Sequence, residues 1–165
     1  LLHFDAHADL RESYNGEKFS HASAIKRCLD YKNVSIISFG IRNISESEIP
    51  VLKKNKARIN IFWAKDKYKW DLKKFTKMIK NKTVYLTFDV DGLDSGIMPA
   101  TGTPEPGGLL WDETLNIIKI AAKNSNIVGA DINELSPIKG FNSYNFLVAK
   151  LAYKILSYIF KFKRL

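Results

Sequence analysis

The sequence is poor in the features that mark secreted, membrane-spanning and disordered chains. Its 165 residues include one cysteine, Cys28, so no disulfide can form within the chain and a reducing compartment is favoured. Its longest apolar stretch, residues 146–160, is interrupted by Lys150 and Lys154, whereas a membrane-spanning helix needs about 20 mostly apolar residues. No basic-then-apolar leader pattern starts at Leu1. A composition of 45% hydrophobic and 26% charged residues is that of a folded protein. We therefore expect a soluble, cytoplasmic chain forming one domain, residues 1–165.

The net charge of +9 is concentrated in one segment. Residues 53–82 carry 12 basic and 2 acidic side chains, whereas residues 1–52 carry 6 and 7, and residues 83–165 carry 8 and 8. A basic stripe can bind nucleic acid, but the sequence has no nucleic-acid-binding signature. We interpret the segment as a solvated, lysine-rich surface and predict neither a nucleic-acid nor a membrane partner.

Apolar runs alternate along the chain with stretches of helical period. The runs, rich in β-branched residues, are 1–4, 34–39, 59–63, 84–88 and 127–130, and the helical stretches are 20–31, 46–56, 71–80, 112–123 and 144–160. Near-continuous apolar strands are typical of a parallel sheet buried on both faces. The sequence therefore predicts an α/β fold with about five βα units, arranged as three α/β/α layers around a mostly parallel sheet.

Two acidic clusters directly follow predicted strands. They are Asp5-Ala6-His7-Ala8-Asp9 and Asp89-Val90-Asp91. Alternate residues of an extended segment project to the same side, so each cluster gathers its polar groups at the carboxyl edge of the sheet, where α/β proteins build their sites. Burying four unpaired carboxylates is costly, and two divalent cations would neutralise them. Oxygen and imidazole ligands without thiolate favour Mn²⁺, with Fe²⁺ and Zn²⁺ as alternatives.

These clusters and two later segments resemble the arginase/agmatinase (ureohydrolase) family. The four blocks are DAHAD at residues 5–9, FDVDGLD at 88–94, ATGTPEPGGL at 100–109 and DINELSP at 131–137. They follow the family's order, and the continuation LRESYNGEKFSHA at residues 10–22 is more similar to agmatinases than to arginases. The resemblance implies an arginase-like sheet ordered fifth, fourth, first, second, third strand. It also implies a binuclear manganese centre and a homo-oligomer, either a trimer or a hexamer.

The resemblance assigns roles to the clustered residues. Asp5 and Asp89 would bridge two metal ions, His7 and Asp91 would complete the shell of one ion, and Asp9 would bind the other.

Three residues outside the clusters also match the family. His21 corresponds to a proton-shuttling histidine, and Glu134 to a carboxylate that orients the guanidinium of the substrate through a bidentate pair. Thr103 would line the same pocket.

One part of the family pattern is absent. Family members carry a Gly-Gly-acidic-His block upstream of the first acidic cluster, and its histidine binds the same ion as Asp9. Nothing before Leu1 supplies it, so we expect a fragment lacking the N-terminal part of the domain, in which that ion keeps only Asp5, Asp9 and Asp89. His3 is expected to be a structural strand residue and a poor substitute. The fifth strand would then form an unpaired apolar edge.

We therefore predict metal-dependent hydrolysis of a guanidino compound, converting agmatine to putrescine and urea, with impaired turnover in the isolated chain. Two alternatives stay open. One is arginase activity or hydrolysis of another guanidino or formimino substrate, and the other is a non-catalytic remnant that associates through its exposed edge.

Overall fold

Five parallel strands form the centre of the fold in the computed structural model, which describes residues 1–163. The strands are β1 (Leu2–Phe4), β2 (Ile36–Phe39), β3 (Ile59–Phe62), β4 (Thr83–Asp89) and β5 (Asn126–Asn133). Their order in the sheet is β3-β2-β1-β4-β5, and every pairing is parallel. The five predicted strands and the sheet order implied by the family resemblance are therefore confirmed.

A helix follows each strand. The helices are α1 (Ala24–Cys28), α2 (Ile49–Lys54), α3 (Leu72–Ile79), α4 (Trp111–Asn124) and α5 (Asn142–Phe162), and short 3₁₀ turns, His21–Ser23 and Glu46–Glu48, lead into the first two. The first helix is shorter than the predicted 20–31. Arg58 donates hydrogen bonds to the carbonyl oxygens of Leu29, Tyr31 and Val34, and these bonds hold the chain in a turn directly after α1.

Hydrophobic side chains pack on both faces of the sheet. On one face α3, α4 and α5 cover a large cluster that includes Phe4 and Phe88, whose rings stack with centroids 4.9 Å apart. On the other face, Ile25 of α1 and Val51 of α2 pack with Ile36 and with residues of β3. Because helices cover both faces, the predicted three-layer architecture is confirmed.

The second face is open over the last two strands. Tyr85 of β4 is 43% exposed and Val128 of β5 is 60% exposed, and β5 lies at the edge of the described sheet. The expectation of an exposed apolar edge is thus confirmed for residues 1–163. Within that range no helix is both long and apolar enough to cross a membrane.

Candidate metal centre

The carboxyl ends of β1, β4 and β5 open into a cleft of about 670 Å³. Parallel strands bring their carboxyl ends to one edge of the sheet, so polar residues that follow different strands can meet there. All the side chains to which a site role was predicted line this cleft: Asp5, His7, Asp9, His21, Asp89, Asp91, Thr103 and Glu134. Their chemical roles stay predictions, but their convergence is a property of the fold.

Asp5 is the buried centre of the cleft. It is 3% exposed, and one of its carboxylate oxygens, Oδ1, accepts a hydrogen bond of 2.6 Å from the backbone N–H of His7. The other oxygen, Oδ2, lies 2.8 Å from Nε2 of His3. Burial opposes the charge of Asp5, but the imidazole of His3 and the hydrogen bonds from His3 and His7 hold the pKa of Asp5 below its ordinary value. Asp5 is therefore an ionised carboxylate held in a fixed orientation.

The end of β4 approaches the end of β1 closely because Gly92 has no side chain. A Cβ atom at Gly92 would lie 2.8 Å from the backbone nitrogen of Asp5, a distance that no other residue type can accommodate without a backbone shift. This approach lets Oδ1 of Asp91 accept a hydrogen bond of 2.9 Å from the backbone N–H of Ala6. This hydrogen bond, from a backbone N–H of the first acidic cluster to a side chain of the second, joins the two clusters.

His7 lies between the carboxylates of the two clusters. Its Nδ1 is 2.9 Å from Oδ2 of Asp91 and 3.5 Å from Oδ1 of Asp5. Hydrogen bonds to Asp5 and Asp91 raise the pKa of His7 to about 10. His7 is thus held between one carboxylate of each acidic cluster.

Asp9 and Asp89 show the electrostatic cost of assembling the cluster. Burial, followed by the charge of Asp5, raises the pKa of Asp9 to about 8. Burial, followed by the charges of Asp5 and Asp91, raises the pKa of Asp89 to about 10. Asp9 also has a positive φ of 52°, a strained backbone conformation of the kind that concentrates at functional sites. The fold therefore gathers carboxylates that are not all ionised at neutral pH, even with the imidazolium of His7 beside them.

Two sets of side chains in the cleft have the spacing of a metal site. In one set, Asp5, His7 and Asp91 offer ligand atoms that all lie within 4.8 Å of one another, and in the other His3, Asp5 and Asp9 do the same. Asp5 belongs to both sets. Asp89 lines the cleft but belongs to neither set.

The half-buried guanidinium of Arg42 fastens the Gly- and Pro-rich loop after β4 to the cleft. Arg42 donates hydrogen bonds from Nη2 to the carbonyl oxygens of Asp91 and Glu105, each at 2.7 Å, and from Nε to that of Pro106 at 3.0 Å. The loop thereby brings Thr103 to the site, where its hydroxyl lies 3.4 Å from Oδ2 of Asp91. Sequence reasoning missed Arg42, because a lone arginine after a strand carries no signal.

His21 and Glu134 occupy the rim of the cleft. His21 begins the 3₁₀ turn before α1, and its ring meets that of Tyr14 edge-on with centroids 5.5 Å apart. Glu134 directly follows β5 and has a positive φ of 63°. Both side chains are solvent-accessible and face the space above the acidic cluster, where a substrate can reach them.

Glu48 is a second residue that sequence reasoning did not place at the site. Its side chain accepts a hydrogen bond of 2.7 Å from the backbone N–H of Ser45, at the start of the turn before α2. Glu48 is 4% exposed, and its carboxylate also accepts a hydrogen bond of 2.7 Å from the backbone N–H of Leu10. Glu48 therefore fixes the segment that carries Asp9. The three-residue spacing between Ser45 and Glu48 is visible in the sequence, whereas the hydrogen bond between Glu48 and Leu10, which are 38 residues apart, is not.

Comparison with known proteins agrees with this geometry. The family model described as "Arginase family" matches residues 1–157, so the chain belongs to the arginase family. It is 35% identical over 161 residues to an N(1)-aminopropylagmatine ureohydrolase of Synechocystis sp., covering 96% of this chain and 51% of that protein. It is 38% identical over 148 residues to an agmatinase of Bacillus anthracis, covering 84% of this chain and 47% of that protein.

A solved structure shows the same fold. The agmatine ureohydrolase of Thermoplasma volcanium superimposes with a TM-score of 0.83 at 32% identity, covering 97% of this chain and 54% of that one. The chain thus spans about half the length of the curated relatives it matches.

Proposed function

We propose that the cleft binds two divalent metal ions and that the protein hydrolyses a guanidino compound. The observation that carries this proposal is the pair of ligand sets that share Asp5. The donor set consists of carboxylates and imidazole, which suits Mn²⁺. The raised pKa values of Asp9 and Asp89 reflect burial and crowded negative charge, which bound cations would offset. One ion would be held by Asp5, His7 and Asp91. The other would be held by Asp5 and Asp9, with Asp89 as the second bridging residue.

Agmatine is the proposed substrate, because curated relatives of this chain are named agmatinase and N(1)-aminopropylagmatine ureohydrolase. The reaction adds water across the bond between the guanidino carbon and the amine nitrogen, releasing putrescine and urea. Divalent ions supply the Lewis acidity that generates a nucleophile from water near neutral pH. Arginine is the second candidate, since the acidic cluster would act on its guanidino group in the same way.

The residues at the rim of the cleft complete the proposed mechanism. Glu134 would pair with the planar guanidinium and fix the angle at which its carbon is presented. His21, which is exposed and reaches the cleft, would carry a proton between solvent and the departing amine, a role that suits an imidazole. Thr103 would contact the guanidino nitrogens from the loop side.

Metal titration of the 165-residue chain tests the proposal. Calorimetric titration with Mn²⁺ is expected to show binding to the wild-type chain and the loss of one binding event in Asp91→Asn. The control is Asp66→Asn, because Asp66 pairs with the neighbouring Lys65 on the surface and takes no part in the cleft. Urea released from agmatine and from arginine is then measured with the metal-loaded chain, where we expect weak turnover with agmatine preferred. Absence of Mn²⁺ binding by the wild-type chain would contradict the proposal.

A non-catalytic role in association is the alternative that the open sheet edge favours. Val128 on β5 and the outward side chains Phe146, Leu156 and Phe160 of α5 are more than half exposed. Such apolar surface promotes contacts between chains. Light scattering on the same samples separates the two functions, because a stable assembly that binds no metal and releases no urea would support association instead.

A further inference from the structure

Two polar side chains next to Asp5 are almost completely buried. His3 is 2% exposed and Ser38 is 3% exposed, and they sit opposite each other on the paired strands β1 and β2. Nδ1 of His3 lies 3.1 Å from the hydroxyl of Ser38, and Nε2 lies 2.8 Å from Oδ2 of Asp5. Ser38, His3 and Asp5 thus form a continuous hydrogen-bonded chain from β2 into the cleft.

The chemistry of the chain decides where the protons lie. The carboxylate of Asp5 is an acceptor, so a bare Nε2 at 2.8 Å would place two lone pairs against each other. A proton on Nε2 instead makes an N–H···O⁻ bond of ordinary length for a charge-assisted pair. The Ser38 hydroxyl can rotate to donate to Nδ1, which satisfies both buried groups.

We propose that His3, supported by Ser38, is a positioning residue that fixes the orientation of Asp5 for its two metal ions. The inference rests on the proposed metal site and deepens it. By holding Oδ2, His3 restricts rotation of the Asp5 carboxylate about its χ2 angle, while the backbone N–H of His7 holds Oδ1. Ligating carboxylates depend on such outer contacts, whose loss typically weakens metal affinity or activity about 10–100-fold.

The spacing of His3, Asp5 and Asp9 also admits His3 as a direct ligand. The two roles differ in whether Nε2 of His3 carries a proton. A ligand needs the lone pair of Nε2 free, whereas a positioning residue needs a proton there. The contact with Oδ2 of Asp5 favours the protonated form, and the experiment is designed around this difference.

Histidine-ring ¹⁵N NMR on the metal-free wild-type chain provides the first measurement. We expect a protonated Nε2 in His3, identified by the loss of its signals in His3→Gln. A bare Nε2 with the proton on Nδ1 would overturn the inference. This measurement needs neither metal nor activity, so it is informative even if the chain binds no Mn²⁺, a result that would reject the proposed function separately.

Mn²⁺ titration of two His3 variants provides the second measurement. His3→Leu removes the donor and should raise the Kd for Mn²⁺ about 10–100-fold. His3→Gln places an amide N–H near the position of Nε2 and should recover most of the affinity. The control is Thr114→Val, which removes the hydrogen bond of another buried side chain, from Oγ1 of Thr114 to the carbonyl oxygen of Leu110, and should lower Tm without changing Kd.

Two results of the titration would refute a positioning role. One is a Kd unchanged in His3→Leu, with only Tm lowered, because that pattern describes a purely structural histidine. The other is a nitrogen coupling to bound Mn²⁺ in pulsed electron paramagnetic resonance that disappears in His3→Gln, because it would make His3 a ligand. If His3→Leu does not fold, Ser38→Ala is titrated instead, and an unchanged Kd there counts against the proposal in the same way.

Discussion

Without bound metal, this protein should lose stability as the pH rises from 5 to 8. In the metal-free chain the pKa of Asp9 is raised from 3.8 to about 8 and that of Asp89 from 3.8 to about 10. Between pH 4 and 8, the folded chain therefore holds protons on both groups that the unfolded chain has released. Stability must fall as the pH rises through this range, because the folded state binds more protons than the unfolded state.

The neighbouring groups do not cancel this effect. The pKa of His7 is raised from 6.5 to about 10, so its contribution is complete below about pH 6.5 and is lost as the pH rises toward 10, in the same direction as the two acids. The pKa of Asp5 is lowered from 3.8, so its contribution is present above about pH 4 and is lost only at lower pH. From pH 5 to 8 every resolved shift in the cluster either lowers stability with rising pH or has no effect.

The magnitude follows from the number of protons. One proton held only by the folded state changes the free energy of unfolding by about 1.4 kcal/mol per pH unit. Two such protons therefore set an upper limit of about 2.7 kcal/mol per pH unit. Because Asp9 and Asp89 both interact with Asp5 and are partly solvated, we expect about 1 kcal/mol per pH unit. From pH 5 to 7 the loss of about 2 kcal/mol corresponds to a Tm lower by about 4–8 °C.

Differential scanning fluorimetry in EDTA measures how Tm changes between pH 5 and pH 8. Mn²⁺ at 100 times its Kd at pH 8 should add about 2.7 kcal/mol at that pH. The same Mn²⁺ concentration should stabilise less at pH 5, because only ionised carboxylates bind the ion. Asp89→Asn should reduce the slope, whereas Asp66→Asn on the surface should leave it unchanged. A Tm that is flat or rises between pH 5 and 8 in EDTA would show that the carboxylates are not crowded, and the reasoning would be refuted.

Two further predictions concern residues at the edges of the cleft. His21→Ala should lower kcat about 10²–10⁴-fold with Mn²⁺ content unchanged, because proton transfer typically contributes that much; a loss of metal would show that His21 is a ligand. Arg42→Lys should lower the free energy of unfolding by about 2–4 kcal/mol, because a single ammonium cannot reach the carbonyls of Asp91, Glu105 and Pro106 together. The same variant should increase proteolysis within residues 99–108, and equal cleavage of both proteins would contradict the anchoring role.

The order and type of the main elements were predictable because they depend on local pattern. Apolar runs of four to six residues between helical stretches predicted all five strands, and the boundaries shifted by only a few residues. The first helix was predicted too long because its end depends on Arg58. This residue lies 27 residues beyond Tyr31, and its hydrogen bond to the Tyr31 carbonyl oxygen helps to hold the turn that follows the helix. A contact of that sequence separation leaves no trace in the periodicity of the helix itself.

The sequence by itself determined which residues could form a site: two acidic clusters, each placed directly after a strand, must meet at one edge of a parallel sheet. It did not determine how they are held. Only the tertiary structure showed that Gly92 lets the two strand ends touch and that Glu48 fixes the segment of Asp9 through Leu10. It also placed His3, expected to be merely structural, against Asp5. The physical reason is that ligand identity follows from residue type and local spacing, whereas ligand orientation depends on hydrogen bonds between segments that only folding brings together.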